Sequence, residues 1–308
     1  MHIGKIFICK EVRKAAKSGN KATNTLTIEV SYWKAGVFME TGKPQTSIQL
    51  GTHGEDYGSW MSNPVFYIIG AMLVLSGLLS FLCVQIWHIL WLGIILGIAA
   101  AGLLGLLLLI TWVRKQYAFG GGGLMDQVHQ TVLSYLEFDG EGILLEVGCG
   151  SGPLAIRAAL TWPKAKIIGL DYWAAVYNYS QALCEKNAAS EGVADRCTFR
   201  HGDARKLDFA DESVDAVVSN YVFHNISGTD KQELLLESLR VLKKGGVFAL
   251  NDSMKPQMYG DMEAFAQALR DKGYEEVRLV NTAKEVFGSQ GRAALLFLPN
   301  STMLVGKK

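Results

Sequence analysis

The chain has 308 residues, room for one large domain or two ordinary ones at ~100–200 residues each. Its 30 basic and 29 acidic side chains leave a net charge of +1, which argues against a protein that lives mainly by covering nucleic-acid phosphate, and no nucleic-acid partner is expected. With 49% apolar residues the chain as a whole has too much to bury for intrinsic disorder. The five cysteines (Cys9, Cys83, Cys149, Cys184 and Cys197) are odd in number and lack metal-like spacing. They read as free thiols of a reducing compartment, and no metal site is expected.

Residues 1–60 are polar and carry no motif. Leu26, Ile28, Val30 and Tyr32 alternate with Thr25, Thr27, Glu29 and Ser31, the pattern of one strand with a polar face. Met61 stands as an alternative start of translation, directly before an apolar run. From Tyr57 to Val113 there is no Asp, Glu, Lys or Arg, a stretch of 57 residues. A bilayer-spanning helix needs ~20 apolar residues, so this stretch predicts a two-helix membrane hairpin over residues 61–115. The spans are placed at Phe66–Val84 and Ile89–Trp112, broken at Gln85-Ile86-Trp87-His88. Trp60, Tyr67, Trp87, Trp91, Trp112 and Tyr117 fall at the interface levels. Residues 1–56 hold 8 basic against 5 acidic side chains and Arg114-Lys115 closes the second span, so both ends are expected in the cytoplasm. Gly93, Gly97, Ala101 and Gly105 recur every fourth residue on the second span. That small-residue stripe lets a helix approach closely, either its neighbour in the hairpin or a second copy in a homodimer.

Gly120–Gly123 reads as a flexible joint before a domain over residues 116–308. Beyond it short apolar runs at Ile143–Val147, Lys166–Leu170, Thr198–Arg200, Ala216–Ser219 and Val247–Leu250 alternate with helical stretches. Those helices are expected at Met125–Leu136, Pro153–Thr161, Ala174–Glu191 and Lys231–Val241. Strand–helix alternation at this spacing predicts an α/β fold, a mostly parallel Rossmann-like sheet with helices on both faces and ligands at the carboxyl ends of the strands. Five motifs sit there. The first strand ends in Glu146-Val147-Gly148-Cys149-Gly150-Ser151-Gly152, a loop that either brings bare backbone to a ligand or is only a tight turn. Pro153 stands where a dinucleotide loop wants glycine and withdraws an N–H from any phosphate cradle. The second strand ends in Asp171, placed either to accept from ribose hydroxyls or to cap a helix. His201-Gly202-Asp203-Ala204 follows the third strand, and Ser219-Asn220-Tyr221 ends the fourth. Leu242–Gly246 reads as a tight turn into the fifth.

In combination these residues resemble class I S-adenosylmethionine-dependent methyltransferases, of the small-molecule type grouped around the ubiquinone/menaquinone methyltransferases. The resemblance implies a seven-stranded sheet, with Glu275–Val280 and Thr302–Gly306 as its closing antiparallel pair. It implies S-adenosyl-L-methionine as cofactor, a nucleoside with no phosphate to cradle. Gly148, Gly150 and Gly152 would border its methionine part and Glu146 would hold its amino group. Asp171 would bind the ribose hydroxyls, Tyr172 would pack beside the adenine, Asp203 would take the adenine amine and Ala204 N–H would face the ring. Asn220 would contact the methionine end. The chain departs from amino-methylating DNA enzymes and from arsenite methyltransferases, lacking the former's N-P-P-Y and the latter's cysteine arrangement. His224, where relatives often carry a histidine pair, is read either as a general base or as a packing residue. Tyr117 and His129 belong to a region expected to form a substrate lid. The function expected is a membrane-anchored methyltransferase acting on a small acceptor, lipophilic if the tether serves delivery: a quinone, isoprenoid or lipid head group. The alternative is a non-catalytic S-adenosylmethionine-binding membrane protein acting through a partner.

Overall fold

Each apolar run bounded by glycine or a charged turn forms a strand in the computed structural model, which describes residues 50–52, 55–59, 61, 63–119, 123–174 and 179–308. Cys9, the strand expected over residues 25–32 and Gly120–Gly122 lie outside the described residues. The strands are β1 (Ile143–Val147), β2 (Lys166–Asp171), β3 (Cys197–His201), β4 (Val214–Asn220), β5 (Leu242–Ser253), β6 (Glu275–Val280) and β7 (Ser301–Lys307). They form one seven-stranded sheet in the order β3-β2-β1-β4-β5-β7-β6. β7 alone runs antiparallel, between β5 and β6. Alternate side chains feed two buried layers, Leu144, Ile167, Ala216 and Val218 on one face, Leu145, Ile168, Val217 and Leu250 on the other.

Ten helices are described, α1 (Asn63–Gln85), α2 (Leu90–Tyr117), α3 (Leu124–Ser134), α4 (Pro153–Thr161), α5 (Gln181–Ser190), α6 (Lys231–Arg240), α7 (Pro256–Tyr259), α8 (Met262–Asp271), α9 (Thr282–Glu285) and α10 (Gln290–Leu295). α3, α4 and α5 bury Val128, Ile156 and Ala188 in the first layer, while α6 and α8 bury Leu235, Leu239, Phe265 and Leu269 in the second. The result is a Rossmann-like sandwich of helices on both faces.

Three expectations are corrected. The helix expected at Ala174–Glu191 begins at Gln181, because the Ser180 hydroxyl accepts the Leu183 N–H and caps it there. The expected turn at Leu242–Gly246 belongs to β5 as a bulge. Its pairing steps from Val214–Leu242 to Ala216–Val247, and Gly245 takes the left-handed φ of +76° that the extra residues require. The helix expected at Met125–Leu136 runs from Leu124 and ends at Ser134, where Tyr135 forms the cap and its N–H bonds back to the Thr131 carbonyl.

The uncharged stretch forms an antiparallel hairpin of two helices, 23 and 28 residues long and apolar enough to cross a membrane. Their lengths, about 34 and 42 Å, exceed the ~30 Å hydrocarbon core. Tyr67, Val74, Phe81, Trp91, Ile98 and Leu108 stand exposed around them. At the tip the helices touch through glycine. A Cβ on Gly93 would meet Val84 at 2.4 Å, and the Ser80 hydroxyl donates to the Gly93 carbonyl at 2.6 Å. A Cβ on Gly97 would approach the same hydroxyl, whereas Gly105 faces open space. At the other end Arg114 donates to Asn63 Oδ1 at 2.8 Å and lies over the Phe66 ring, holding both helix ends at one level.

The joint between hairpin and sheet domain is not free. Ser47–Lys308 forms one compact unit. α2 continues past Arg114 to Tyr117, and both Val113 and Tyr117 are buried in the core, the Tyr117 hydroxyl donating to the Leu296 carbonyl at 2.8 Å. Residues 50–52 and 55–59 also pack on the domain, as a strap. Leu50 is fully buried. Asp56 N–H donates to Asn187 Oδ1 at 3.0 Å, and Asn187 Nδ2 returns a bond to the Asp56 carbonyl at 2.9 Å. The Ser151 hydroxyl donates to the Tyr57 carbonyl, and the Tyr57 hydroxyl donates to Glu191 Oε1.

Candidate active site

Strands β1 and β4 lie side by side, but the chain leaves β1 toward β2 and leaves β4 toward β5. Their carboxyl ends therefore part, and a crevice opens between the two outgoing loops. A cavity of about 750 Å³ occupies it, within the range of small-molecule sites. Glu146, Gly148, Gly150, Asp171, Tyr172, Asp203, Ala204, Asn220 and His224 all border this cavity. Gly152 does not. Its place is structural, because it caps α4 at a φ of +89° and a Cβ there would meet the Phe199 ring at 3.1 Å.

The glycine loop is held by backbone. Gly148 and Cys149 N–H both donate to the Leu170 carbonyl, at 2.7 and 3.0 Å, tying the end of β1 to the end of β2. Gly148 has a φ of +81° and a Cβ there would meet Val222 at 2.2 Å, so the crossing of the two loops demands glycine. Asp171 is a loop organiser. One carboxylate oxygen accepts Gly150 N–H at 2.8 Å, the other accepts Trp173 N–H at 2.7 Å, and the Trp173 indole N–H donates to the Gly150 carbonyl. The next helix is capped by Ser180, so the helix-cap alternative for Asp171 falls.

Beneath the loop Glu146 is fully buried. Burial pushes its carboxyl up to about 8, against the pull of a hydrogen bond from Ala155 N–H, with nearby Asp171 adding to the rise. Its Oε2 has no hydrogen-bond partner. Burial also pushes the Cys149 thiol up, with Cys184 hydrogen-bonded beside it, so Cys149 offers no ready thiolate. On the adenine side expected for Asp203, Arg205 already grips that carboxylate with Nε and Nη2 at 2.6–3.0 Å and holds it below the usual carboxylate range. Tyr172 is exposed, its ring 5.3 Å from that of His201.

The β4 side is braced by a relay. The Thr282 hydroxyl donates to Asn251 Oδ1, and Asn251 Nδ2 donates to Asn220 Oδ1, each at 2.8 Å. Asn220 is thereby fixed at the cavity edge. His224 sits on a short 3-10 turn, Phe223–Asn225, and its Nδ1 bonds the carboxylate of Asp252 at 2.5 Å. Asp252, fully buried at the end of β5, also accepts the backbone N–H of His224 and of Ser253. A carboxylate accepting that set makes Nδ1 the donor and leaves Nε2 as the ring's acceptor.

Tyr117 and His129, expected in a substrate lid, do border the cavity. Sequence reading missed the rest of this wall: Tyr57 from the strap, Phe119 just beyond α2, Met125 from α3, and Phe297. No motif marks these four.

The geometry satisfies a sulfonium nucleoside. The unpartnered Glu146 Oε2 lies under the loop, Pro153 opens α4 without an N–H for phosphate, and Gly150 brings bare backbone to the cavity. The seven-stranded sheet, in this order and with these loops, is the fold that the sequence resemblance implies, with its crevice where such sheets take ligands. Residues 145–250 match the methyltransferase domain family. The chain is 30% identical over 138 residues to the 27-O-demethylrifamycin SV methyltransferase of Amycolatopsis mediterranei, covering 45% of this chain and 48% of that protein. It is 29% identical over 138 residues to the demethylmenaquinone methyltransferase of Symbiobacterium thermophilum, covering 44% and 51%. The chain thus spans about half the length of the curated relatives it matches. Among solved structures, a geranyl diphosphate C-methyltransferase from Streptomyces coelicolor aligns with a TM-score of 0.47 at 14% identity, over 59% of this chain and 79% of that one.

Proposed function

We propose that this chain is a membrane-tethered methyltransferase that moves a methyl group from S-adenosylmethionine to a small, lipophilic acceptor, with its catalytic domain on the cytoplasmic side. The observation that carries this reading is the shared cavity: the glycine loop and the end of an apolar, membrane-length helix are two walls of one chamber.

In this reading Glu146 and the loop Gly148–Gly150 hold the methionine end, Asp171 the ribose hydroxyls, and Tyr172, Asp203 and Ala204 the adenine. Asp203 exchanges part of its Arg205 contact for the base. When bound, the cofactor supplies an electrophilic methyl on a positively charged sulfur, and the bonding pair stays with sulfur as the acceptor's lone pair takes the carbon. Such in-line displacement needs mainly proximity, alignment and exclusion of water. Asn220 orients the reacting end. His224 Nε2 takes the acceptor's proton as general base, and Asp252 holds the ring and stabilises the imidazolium that forms. Asp252 acts as a positioning residue through His224.

The test is transfer of labelled methyl from S-adenosylmethionine to a native lipid extract, by the full-length chain in liposomes at several pH values. His224→Gln should lower kcat by ~10²–10⁴-fold, the usual contribution of a positioned base, with cofactor affinity intact. Asp252→Asn should lower kcat less and shift the pH profile. Cofactor binding without turnover on any extract would instead favour a binding protein.

A further inference from the structure

The cavity has two halves of different chemistry, and only one is used by the cofactor contacts described above. The other half is walled by Tyr117 and Phe119 at the end of α2, Met125 and His129 on α3, and Phe297. Apolar and aromatic surface dominates this half. Among the described residues, His129 in this half is buried and its Nδ1 has no hydrogen-bond partner. Burial lowers its pKa to about 3, with Arg157 adding to the effect, so the imidazole is neutral and offers one donor and one acceptor. The charges packed beside it, Arg157 and Asp126, are paired with each other. A neutral imidazole between apolar walls suits an uncharged ligand group.

The rim of this half has a second feature. Leu295 and Phe297 are exposed large apolar side chains on the segment bonded to Tyr117 through the Leu296 carbonyl. Phe297 holds a left-handed φ of +63° that an aromatic residue adopts at a cost, and it borders the cavity while facing outward. Tyr117 lies one helical turn beyond Arg114, about 4.5 Å along the helix from the residue that marks the membrane level. An apolar rim, an apolar wall and the end of a membrane-length helix are therefore continuous.

We infer that the methyl acceptor is an uncharged, largely apolar molecule carrying one hydroxyl or carbonyl, that it reaches the cavity from the lipid phase past Phe297, and that His129 is the hydrogen-bonding partner of that group. This rests on the proposed methyltransferase reading and adds the acceptor's chemistry and its route.

The test uses the full-length chain in phosphatidylcholine vesicles and a long-chain alkylphenol bearing a photoreactive diazirine on the ring, with labelled peptides located by mass spectrometry. Labelling is expected on peptides containing Tyr117–His129 and Leu295–Leu298, and to be displaced by unmodified alkylphenol. His129→Phe keeps an aromatic ring and removes the hydrogen bond, and should reduce this labelling about fivefold. Phe297→Gly removes the rim side chain at a backbone conformation glycine prefers and should also reduce labelling, with thermal unfolding checking that the variant is folded. S-adenosylmethionine binding, measured by calorimetry on the same vesicles, should be unchanged in both variants. Labelling confined to the lipid-facing sides of α1 and α2, with the cofactor still bound, overturns the route and the role of His129 while leaving methyl transfer standing. Failure of the unmodified chain to bind S-adenosylmethionine overturns the methyltransferase reading, and the inference falls with it.

Discussion

Two buried ionisable groups border the cavity with opposite pH signatures. The Glu146 carboxyl titrates at about 8 in the fold against 4.5 unfolded, so between those values the folded chain keeps a proton that the unfolded chain has lost. Stability from this group falls as pH rises through that window and is flat outside it. Thermal unfolding of Glu146→Gln should lack this slope, and the parent should lose on the order of a few kcal/mol relative to it between the two limits. His129 works the other way, because its folded value near 3 lies below 6.5 and stability is lost as pH falls between them. At Gly148 the strain is steric: Gly148→Ala places a methyl against Val222 at a positive φ and should cost about 2–4 kcal/mol in denaturant unfolding. Asp171→Ala should weaken S-adenosylmethionine by ~1.5–3 kcal/mol, about 10–150-fold by calorimetry, through its own contacts and the loosened Gly150 and Trp173 loops. Glu146, Gly148 and Asp171 were legible because each lies at the carboxyl end of a strand and its type fits one ligand chemistry. Asp252 was not, since its pairing with His224 spans 28 residues and two strand ends, and only the sheet order brings them together.

Among the elements, those with long regular periods matched their sequence signal: β1, α4 and β6 fall on the expected residues, and both long apolar helices extend the expected spans by a few residues. The strap (residues 50–52 and 55–59) shows no pattern because it is held by hydrogen bonds to distant side chains, among them Asn187, Ser151 and Glu191, and by an aromatic pair. Tyr57 lies on the Phe119 ring at a centroid distance of 4.6 Å and is 5% exposed. Tyr57→Ala should therefore destabilise the chain by about 3 kcal/mol and lower Tm by ~6–12 °C in a calorimetric scan. A chain beginning at Arg114 would lose the strap as well as Val113. It should unfold at lower temperature than one beginning at Ser47 solubilised in detergent. An equal Tm for the two would show that the strap adds nothing to the domain.

At the level of the whole molecule, a ten-residue flexible joint would have allowed the domain to roam ~15–20 Å from the hairpin. Its first residues, Arg114–Tyr117, are instead the docked end of α2. Tyr117 belongs at once to the apolar hairpin and to the cavity wall, one helical turn from Arg114. In the proposed membrane-tethered reading, that geometry raises the effective concentration of any acceptor dissolved in the membrane. The continuity could not be read from Gly120–Gly123, whose glycines suggest freedom, because docking is decided by Val113 and Tyr117 packing against residues far along the chain. The most direct measurement of the central claim is methyl transfer from S-adenosylmethionine labelled on its methyl group, by the full-length chain in liposomes made from a native lipid extract, followed by organic extraction. The account predicts label in the organic phase, abolished by His224→Gln and reduced at least tenfold by Asp171→Ala at low cofactor. Label found only in water-soluble products, or no transfer although the cofactor binds, would contradict it.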